Sequence, residues 1–311
     1  MAKIGGLITV FFIRRFFGGL LTIFLVSSAV FFIVGVLHGD PARYLAGEFA
    51  SEEFVENLRK ELGISKPLIE RYKDFIKNLL KFDLGESFYY RKEVLSVIIE
   101  RFKNTLFLAL SSILFSTAFG IFLGFVSALK KDSIIDKLIL SLSTLIYSIP
   151  NFWLGVILIL IFSVKLKMLP VSGFSDLKSI VLPTLTLGFS LSSVLSRFVR
   201  NSVISSLESD YIMFAKSKGA PLHIILLVHV TKNIIGTIFT VISLQLGVLL
   251  SGTVVTETIF AFPGVGNLTV FAVNSRDFPM IQGCVIFISA VWVMSNILSD
   301  FLILISNPRS R

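Results

Sequence analysis

Six stretches of this 311-residue chain contain no Asp, Glu, Lys, Arg or His for 18 to 27 consecutive residues: 16–37, 104–129, 138–164, 179–196, 233–256 and 278–299. A helix rises about 1.5 Å per residue, so about 20 apolar residues cross the roughly 30 Å hydrocarbon core of a bilayer. The runs are too long for buried strands, and the spacing of the charged breaks between them suits a helical bundle. Composition agrees. The chain is 54% hydrophobic and 16% charged, with 31 phenylalanines, whereas a soluble domain is about a quarter charged. A soluble enzyme and a disordered chain are both excluded on this count. A single cysteine excludes a disulfide scaffold and any Cys-rich metal site. Small residues such as Ser111, Ser112, Ser116, Gly120 and Gly124 punctuate the second run, as expected where helices approach closely in lipid. The first run follows Arg14 and Arg15 but is too long for a signal h-region, so it reads as an uncleaved span.

Orientation follows from Lys and Arg in the connections. Thirteen lie on one side, in the N-terminal tail, the second and fourth connections and the C-terminal end; four lie opposite. The positive-inside rule therefore predicts both termini in the cytoplasm. The first connection, residues 38–103, is long and balanced, with twelve basic and twelve acidic residues, and votes weakly. The net charge of +9 thus reads as orientation and not as nucleic-acid affinity.

The connections carry local signals. Ser51 is placed to cap a helix with Glu52 and Glu53 in its first turn and a Phe54, Leu58, Leu62 stripe that stops at Gly63. A second helix starts near Pro67 with Leu68, Tyr72, Phe75, Ile76, Leu79 and Leu80 on one face; Glu70, Arg71, Lys73, Asp74 and Lys77 fall elsewhere. This outer segment reads as a small helical cap or as a docking surface for an extracytoplasmic partner. In the third run, Ser148-Ile149-Pro150-Asn151 predicts a kink. Pro150 and Asn151 are candidates for lining a path, with a purely structural kink as the alternative.

The fourth connection, residues 197–232, offers Asp210 as an N-cap, then Tyr211, Ile212, Met213, Phe214, Ala215, Lys216, Ser217 and Lys218 as about two helical turns. Gly219 fits the left-handed position after a helix, and Pro221 prevents continuation. Consecutive apolar residues on so short a cytosolic helix suit either packing on the bundle or a docking knob for a partner. The last outer connection, Glu257 to Asn267, contains Phe262-Pro263-Gly264-Val265-Gly266 and predicts a re-entrant or interfacial hairpin buried in protein. Glu257 reads as a solvated interfacial carboxylate or, less commonly, as a cavity-lining one.

Catalytic signatures are missing. The sequence has no Gly-x4-Gly-Lys-Ser/Thr phosphate loop, no His-Glu-x-x-His and no Gly-x-Ser-x-Gly elbow, and its three histidines form no ligand constellation. Proton- or voltage-driven proteins place ionisable residues inside their spans, and the six runs hold none. The driving force is expected on a separate ATPase subunit, with a secondary transporter as the weaker alternative.

Ordered motifs carry a resemblance across essentially the whole chain. They include Arg14-Arg15, His38-Gly39-Asp40-Pro41, Glu61-Leu62-Gly63, Asp83-Leu84-Gly85-Glu86-Ser87 and Arg101-Phe102-Lys103-Asn104-Thr105-Leu106. After these come Asp210-Tyr211 with Ala215-x-x-x-Gly219, His229-Val230-Thr231-Lys232-Asn233, Leu244-Gln245-Leu246-Gly247, Glu257-Thr258-Ile259-Phe260, Phe262 to Gly266, Arg276-Asp277-Phe278-Pro279 and Asn307-Pro308-Arg309. In this order they resemble the dipeptide/oligopeptide permease family of bacterial ABC importers, specifically the first of its two membrane subunits. Met213 and Phe214 depart from the Glu and Ala of that family's cytoplasmic EAA loop, and Thr237 stands where proline is common.

The resemblance implies an all-α polytopic membrane protein of the type I ABC importer kind, with six transmembrane helices and a small extracytoplasmic helical insertion. It divides the chain into a cytoplasmic tail (1–15), a first span (16–37), an extracytoplasmic connection (38–103), a five-helix core (104–305) with a coupling loop at 197–232, and a C-terminal tail (306–311). It implies a second homologous permease subunit, two ABC ATPase subunits that bind ATP and Mg, an extracytoplasmic solute-binding protein and surrounding lipid. No cofactor and no enzyme activity are expected in this chain. Asp210, Tyr211, Ile212, Met213, Phe214, Ala215, Lys218, Gly219 and Pro221 are the implied ATPase-coupling residues. Pro150, Asn151, Gln245, Glu257, Phe262, Pro263 and Gly264 are candidates for the path or an outer gate. Di- or oligopeptides are the expected cargo, with nickel complexes or sugars as alternatives.

Overall fold

The computed structural model describes residues 2–36, 40–47 and 49–306. No strand forms among them; a lone β-bridge pairs Glu86 with Glu93. The first long helix is α1 (Ala2–Val36). Three short helices follow, α2 (Pro41–Ala46), α3 (Glu52–Glu61) and α4 (Leu68–Leu79). The bundle then runs through α5 (Val94–Leu129), α6 (Ile134–Ser148), α7 (Asn151–Leu158) with a π-helical extension to Lys165, and α8 (Val181–Leu207). After α9 (Asp210–Ser217), the three-residue α10 (Leu222–Ile224) and a π-helical stretch lead into α11 (Thr231–Gly252). α12 (Val254–Ile259), α13 (Val265–Asn274) and α14 (Phe278–Ser306) complete the chain. Five helices are long and apolar enough to cross a membrane, and counting the bent pair α6–α7 as one crossing brings the number to six.

The helices outrun the charge-free runs, and on α8 and α14 the charges that lie beyond the runs are engaged by neighbouring helices. α8 extends past Arg197 and Arg200 to Leu207. Arg200 reaches the nearly buried Asp136 at 2.6 Å, and Arg197 lies over the Tyr147 ring at 5.2 Å. The predicted connection at 197–232 is therefore shorter than expected: only residues 208–221 separate α8 from α10. At the other end of the bundle, α5 starts at Val94, ten residues before its apolar run. Asp300, inside α14, is bridged by Arg15 of α1 at 3.0 Å.

Close packing of α5 on α8 forms the spine. A Cβ built on Gly124 would fall 2.6 Å from Val199 Cβ and 2.8 Å from the Ser196 carbonyl, and one on Gly188 would fall 2.4 Å from the Phe115 ring. The small residues of the second run thus serve as contact points where side chains would hold the helices apart. Buried Ser112 and Ser116 return their hydroxyls to carbonyls of their own helix, which removes the cost of burying them.

The expected kink at Pro150 is a right-angle break. α6 and α7 diverge by 103°. Ile149 is extended (φ −79, ψ 125), as a residue before proline must be, and proline offers no N–H to continue the ladder. Pro150 and Asn151 are exposed at the corner. In the cap, Ser51 accepts from Phe54 N as predicted. The buried face of α3, however, is Val55 and Leu58; Phe54 is 56% exposed. Gly63 ends α3 with φ 67. α4 lays Tyr72 and Phe75 against Phe31 of α1, with ring centroids 5.3 and 5.0 Å apart.

Candidate functional site

Two structural features carry the candidate residues, one at each end of the bundle. The first is α9, at the end that holds the Lys130–Lys131 turn and Lys232. Its N-cap position is filled by Ser209 (φ −78, ψ 150), and Asp210, expected there, is the first helical residue. The Ser209 hydroxyl donates to the Ser206 carbonyl and so ties the start of α9 to α8. At the other terminus Gly219 takes φ 78. Gly219 N donates to the Lys216 carbonyl at 2.9 Å and Ala220 N to the Ala215 carbonyl at 3.1 Å. That paired arrangement satisfies the last carbonyls of a helix and needs a left-handed residue, which glycine adopts without strain. Pro221 then caps α10.

The faces of α9 differ sharply. Ile212 is fully buried, packed with Val203, Ile225, Val230 and Ile234. Met213 and Phe214 are 56% and 61% exposed. Lys218 Nζ lies 4.5 Å from the Phe214 ring centroid, and Tyr211 is hydrogen-bonded to Asn233 of α11. One buried anchor thus holds a helix whose large apolar side chains at Tyr211, Met213 and Phe214 are otherwise exposed.

Beneath α9 a buried ionic clamp joins three helices. Asp136 of α6 receives two bonds from Arg200 of α8, one from Ser127 of α5 and one from its own N-terminal turn through Asp132 N. Beside it, Lys131 and Glu208 pair at 2.7 Å, which raises the lysine pKa. Sequence reading missed the clamp; its only signal was an isolated Asp just before an apolar run. Between α8 and α11 a groove of about 1070 Å³ opens toward α9, lined by Asn201, Ser202, Ser205, Asn233, Thr237 and Thr240 among others. Gln245, deeper on α11, donates to the Leu191 carbonyl at 2.9 Å, and its buried Oε1 has no hydrogen-bond partner among the described residues.

The second feature is the α12–α13 hairpin. Glu257, expected to be solvated, is completely buried. Its Oε1 accepts from Thr105 and Thr253 hydroxyls, each at 2.8 Å, and its Oε2 accepts from Asn267 N at 3.0 Å. Thr105 also accepts from Val265 N, and Asn104 Nδ2 donates to the Pro263 carbonyl at 2.9 Å. The carboxyl group therefore organises the Pro263-Gly264-Val265-Gly266 turn from within. Space explains the glycines: a Cβ on Gly264 would lie 2.3 Å from Glu257 Oε2, and one on Gly266 would lie 2.5 Å from Val254 Cα. Phe262 is fully buried, with its ring 4.9 Å from that of Phe174. In this single chain, then, Glu257, Phe262 and Gly264 are buried against protein. A third buried carboxyl, Asp277, accepts from Ser87 Oγ, Phe88 N and Tyr89 N, and from Met280 N at the start of α14. Two sequence motifs 190 residues apart meet there. His38, Gly39 and the motif Asn307-Pro308-Arg309 lie outside the described residues.

Residues 120–311 match the binding-protein-dependent transport system inner membrane component, and residues 8–109 match the N-terminal region of the same class of membrane component. The chain belongs to this permease family. Over 301 residues this permease is 37% identical to the glutathione transport system permease protein GsiC of Pectobacterium atrosepticum, covering 97% of this chain and 98% of the relative. It is 36% identical over 299 residues to GsiC of Escherichia coli K12, covering 96% and 98%. Its fold matches a chain of the MetNI methionine ABC transporter, solved in inward-facing conformations, with a TM-score of 0.54 at 15% identity, covering 68% of this chain and 97% of that one. The permease is thus a multi-pass inner-membrane subunit of an ABC importer, with the all-α fold of that class.

Proposed function

We propose that this permease passes peptide-like solutes, of the size of a dipeptide or glutathione, across the cytoplasmic membrane by alternating access, driven by separate ATPase subunits that receive α9. The observation that carries the reading is the contrast within α9: a buried Ile212 beside exposed Met213 and Phe214 on a helix closed at both ends. Burying two such side chains in a partner cleft yields about 1.5–3 kcal/mol each before ordering costs. Tyr211 extends from the same helix into the α8–α11 groove, so a displaced α9 would pull on the groove wall directly.

The groove supports the path. Its lining mixes the hydroxyls and amides of Ser202, Ser205, Thr237, Thr240, Asn201 and Asn233 with apolar side chains and the single cation Lys232, a surface that offers a solute with peptide groups both hydrogen bonds and apolar contact. A second permease subunit would close the groove's open side, and an extracytoplasmic binding protein would deliver the solute. The names of the relatives support a peptide-like cargo. In this reading the α9 end and both termini face the cytoplasm, as the excess of Lys and Arg at that end favours. ATP and Mg act on the partner subunits alone.

The test is Phe214→Asp in the assembled transporter, with uptake of labelled glutathione and dipeptides measured alongside ATPase co-purification. Uptake and co-purification should both collapse while membrane levels stay normal. Normal uptake with normal co-purification would refute the coupling role.

A further inference from the structure

The cap contains a cavity of about 470 Å³ bounded by α4, the 83–91 loop and the start of α14. Its charged lining is mostly satisfied internally. Asp74 pairs with Lys66 at 3.0 Å, Glu61 with Arg91 at 3.5 Å, and Asp83 accepts from Gly85 N at 2.8 Å. Arg71 is the exception among the cations. It is half-buried in the cavity wall and makes no ion pair or hydrogen bond with any described residue. Burial accordingly lowers its pKa with no anion to offset the effect. Its placement follows from α4. Tyr72 and Phe75 hold that helix on α1, and this turns Arg71, Asp74 and Asn78, spaced three to four residues apart, toward the cavity. Asn78 and Gln282 add amide groups, and the exposed Glu86 adds a carboxylate that has no ion pair among the described residues.

A half-buried guanidinium that bonds to none of the carboxylates around it leaves its donors unused, whereas such groups are ordinarily paired when buried. A planar fork of N–H donors in the wall of a cavity that is open to solvent matches a carboxylate in bidentate fashion. We propose that this cavity is a binding site for the carboxylate of a small zwitterionic solute, with Arg71 holding the carboxylate and Glu86 facing the ammonium end. The volume falls in the range of small-molecule pockets. The site stands apart from the translocation reading, because it is tested by binding to the chain itself without transport.

The experiment titrates the full chain in lipid nanodiscs with glycylglycine and with glycylglycine amide, followed by calorimetry. The free acid should bind, and the amide should bind about tenfold more weakly or worse, the loss expected for one charge-assisted pair. Arg71→Gln should weaken glycylglycine binding to the same degree, Arg71→Lys should restore part of it, and Lys77→Gln, elsewhere on α4, should leave it unchanged. The acid–amide comparison on the unaltered chain needs no variant to fold. Equal binding of acid and amide, no binding of either, or unimpaired binding by Arg71→Gln would overturn the site. So would a variant that loses affinity only for the solute-binding protein, since Arg71 would then be serving a protein carboxylate.

Discussion

The two ends of the permease solve opposite problems. At the hairpin the candidate residues are over-determined: Glu257 holds three donors, from α5, from Thr253 at the cap of α12 and from α13, Phe262 is buried, and the glycines leave no room for a Cβ. At α9, Ile212 alone is buried, and Tyr211, Met213 and Phe214 are exposed. A segment saturated with internal bonds can only move as a unit with its surroundings. A segment held by one anchor can exchange water for a partner at small internal cost. The difference assigns rigidity to the hairpin and coupling to α9, and substitutions at each end should separate the two.

The largest loss of stability is expected at the hairpin. Gly264→Ala places a methyl 2.3 Å from a carboxyl oxygen whose donors prevent retreat. Glu257→Ala leaves three donors unanswered, at about 1–3 kcal/mol each. Both should drop the membrane level of folded permease severely, while Glu257→Gln, which keeps the shape, should be milder. Thermal unfolding in detergent measures this. A Gly264→Ala protein as stable as the parent would show that the hairpin yields and is not rigid.

The clamp beneath α9 comes next. Asp136→Ala strands Arg200, 15% exposed at its side chain, and removing one partner of a buried pair costs about 3–5 kcal/mol. Replacing both, as Asp136→Ala with Arg200→Met, should recover much of that. Failure of the double variant to recover would mean that the clamp's further bonds to Ser127 and Asp132 N matter more than the ion pair.

How far these sites were legible in the sequence follows from where their partners lie. Six spans could be read because lipid demands long apolar runs, and the turn at Gly219 because left-handed termination is a local rule. The helix ends were misplaced where charges counted as breaks are neutralised across the bundle, as with Arg200 and Asp136. Asp210 and Ser209 are both good caps, and Phe54 and Val55 are both apolar. Only tertiary packing chose between the members of each pair. Glu257 looked solvated because its Thr105 donor lies 152 residues away. Asp277 and Ser87 each stood in a recognisable motif, yet nothing short of the fold predicts that they meet.

Within α9, Ile212→Ala should cost about 2–5 kcal/mol as a buried large-to-small change. It should also loosen the helix from α8 and α11, so uptake falls together with stability. That makes it the counterpart of Phe214→Asp, in which uptake and ATPase co-purification fall while stability holds. If Ile212→Ala lowers neither, the anchor is elsewhere and the two-faced description of α9 fails.

The smallest effect on the fold is expected from Gly219→Val. Nothing lies within 4 Å of the position a Cβ would take, so the penalty is dihedral only. Holding a non-glycine residue at φ 78 costs about 1–2 kcal/mol, enough to unwind the last turn of an eight-residue helix and too little to unfold the bundle. Uptake should fall several-fold while the melting temperature barely moves. Gly47 is the matched control: it too has positive φ, 87, and no neighbour within 4 Å, but it terminates α2, far from the coupling helix. Gly47→Val should therefore impose equal or greater local strain with uptake intact. Equal losses of uptake from both variants would mean that strain anywhere disables the permease, and the special standing of α9 would be lost.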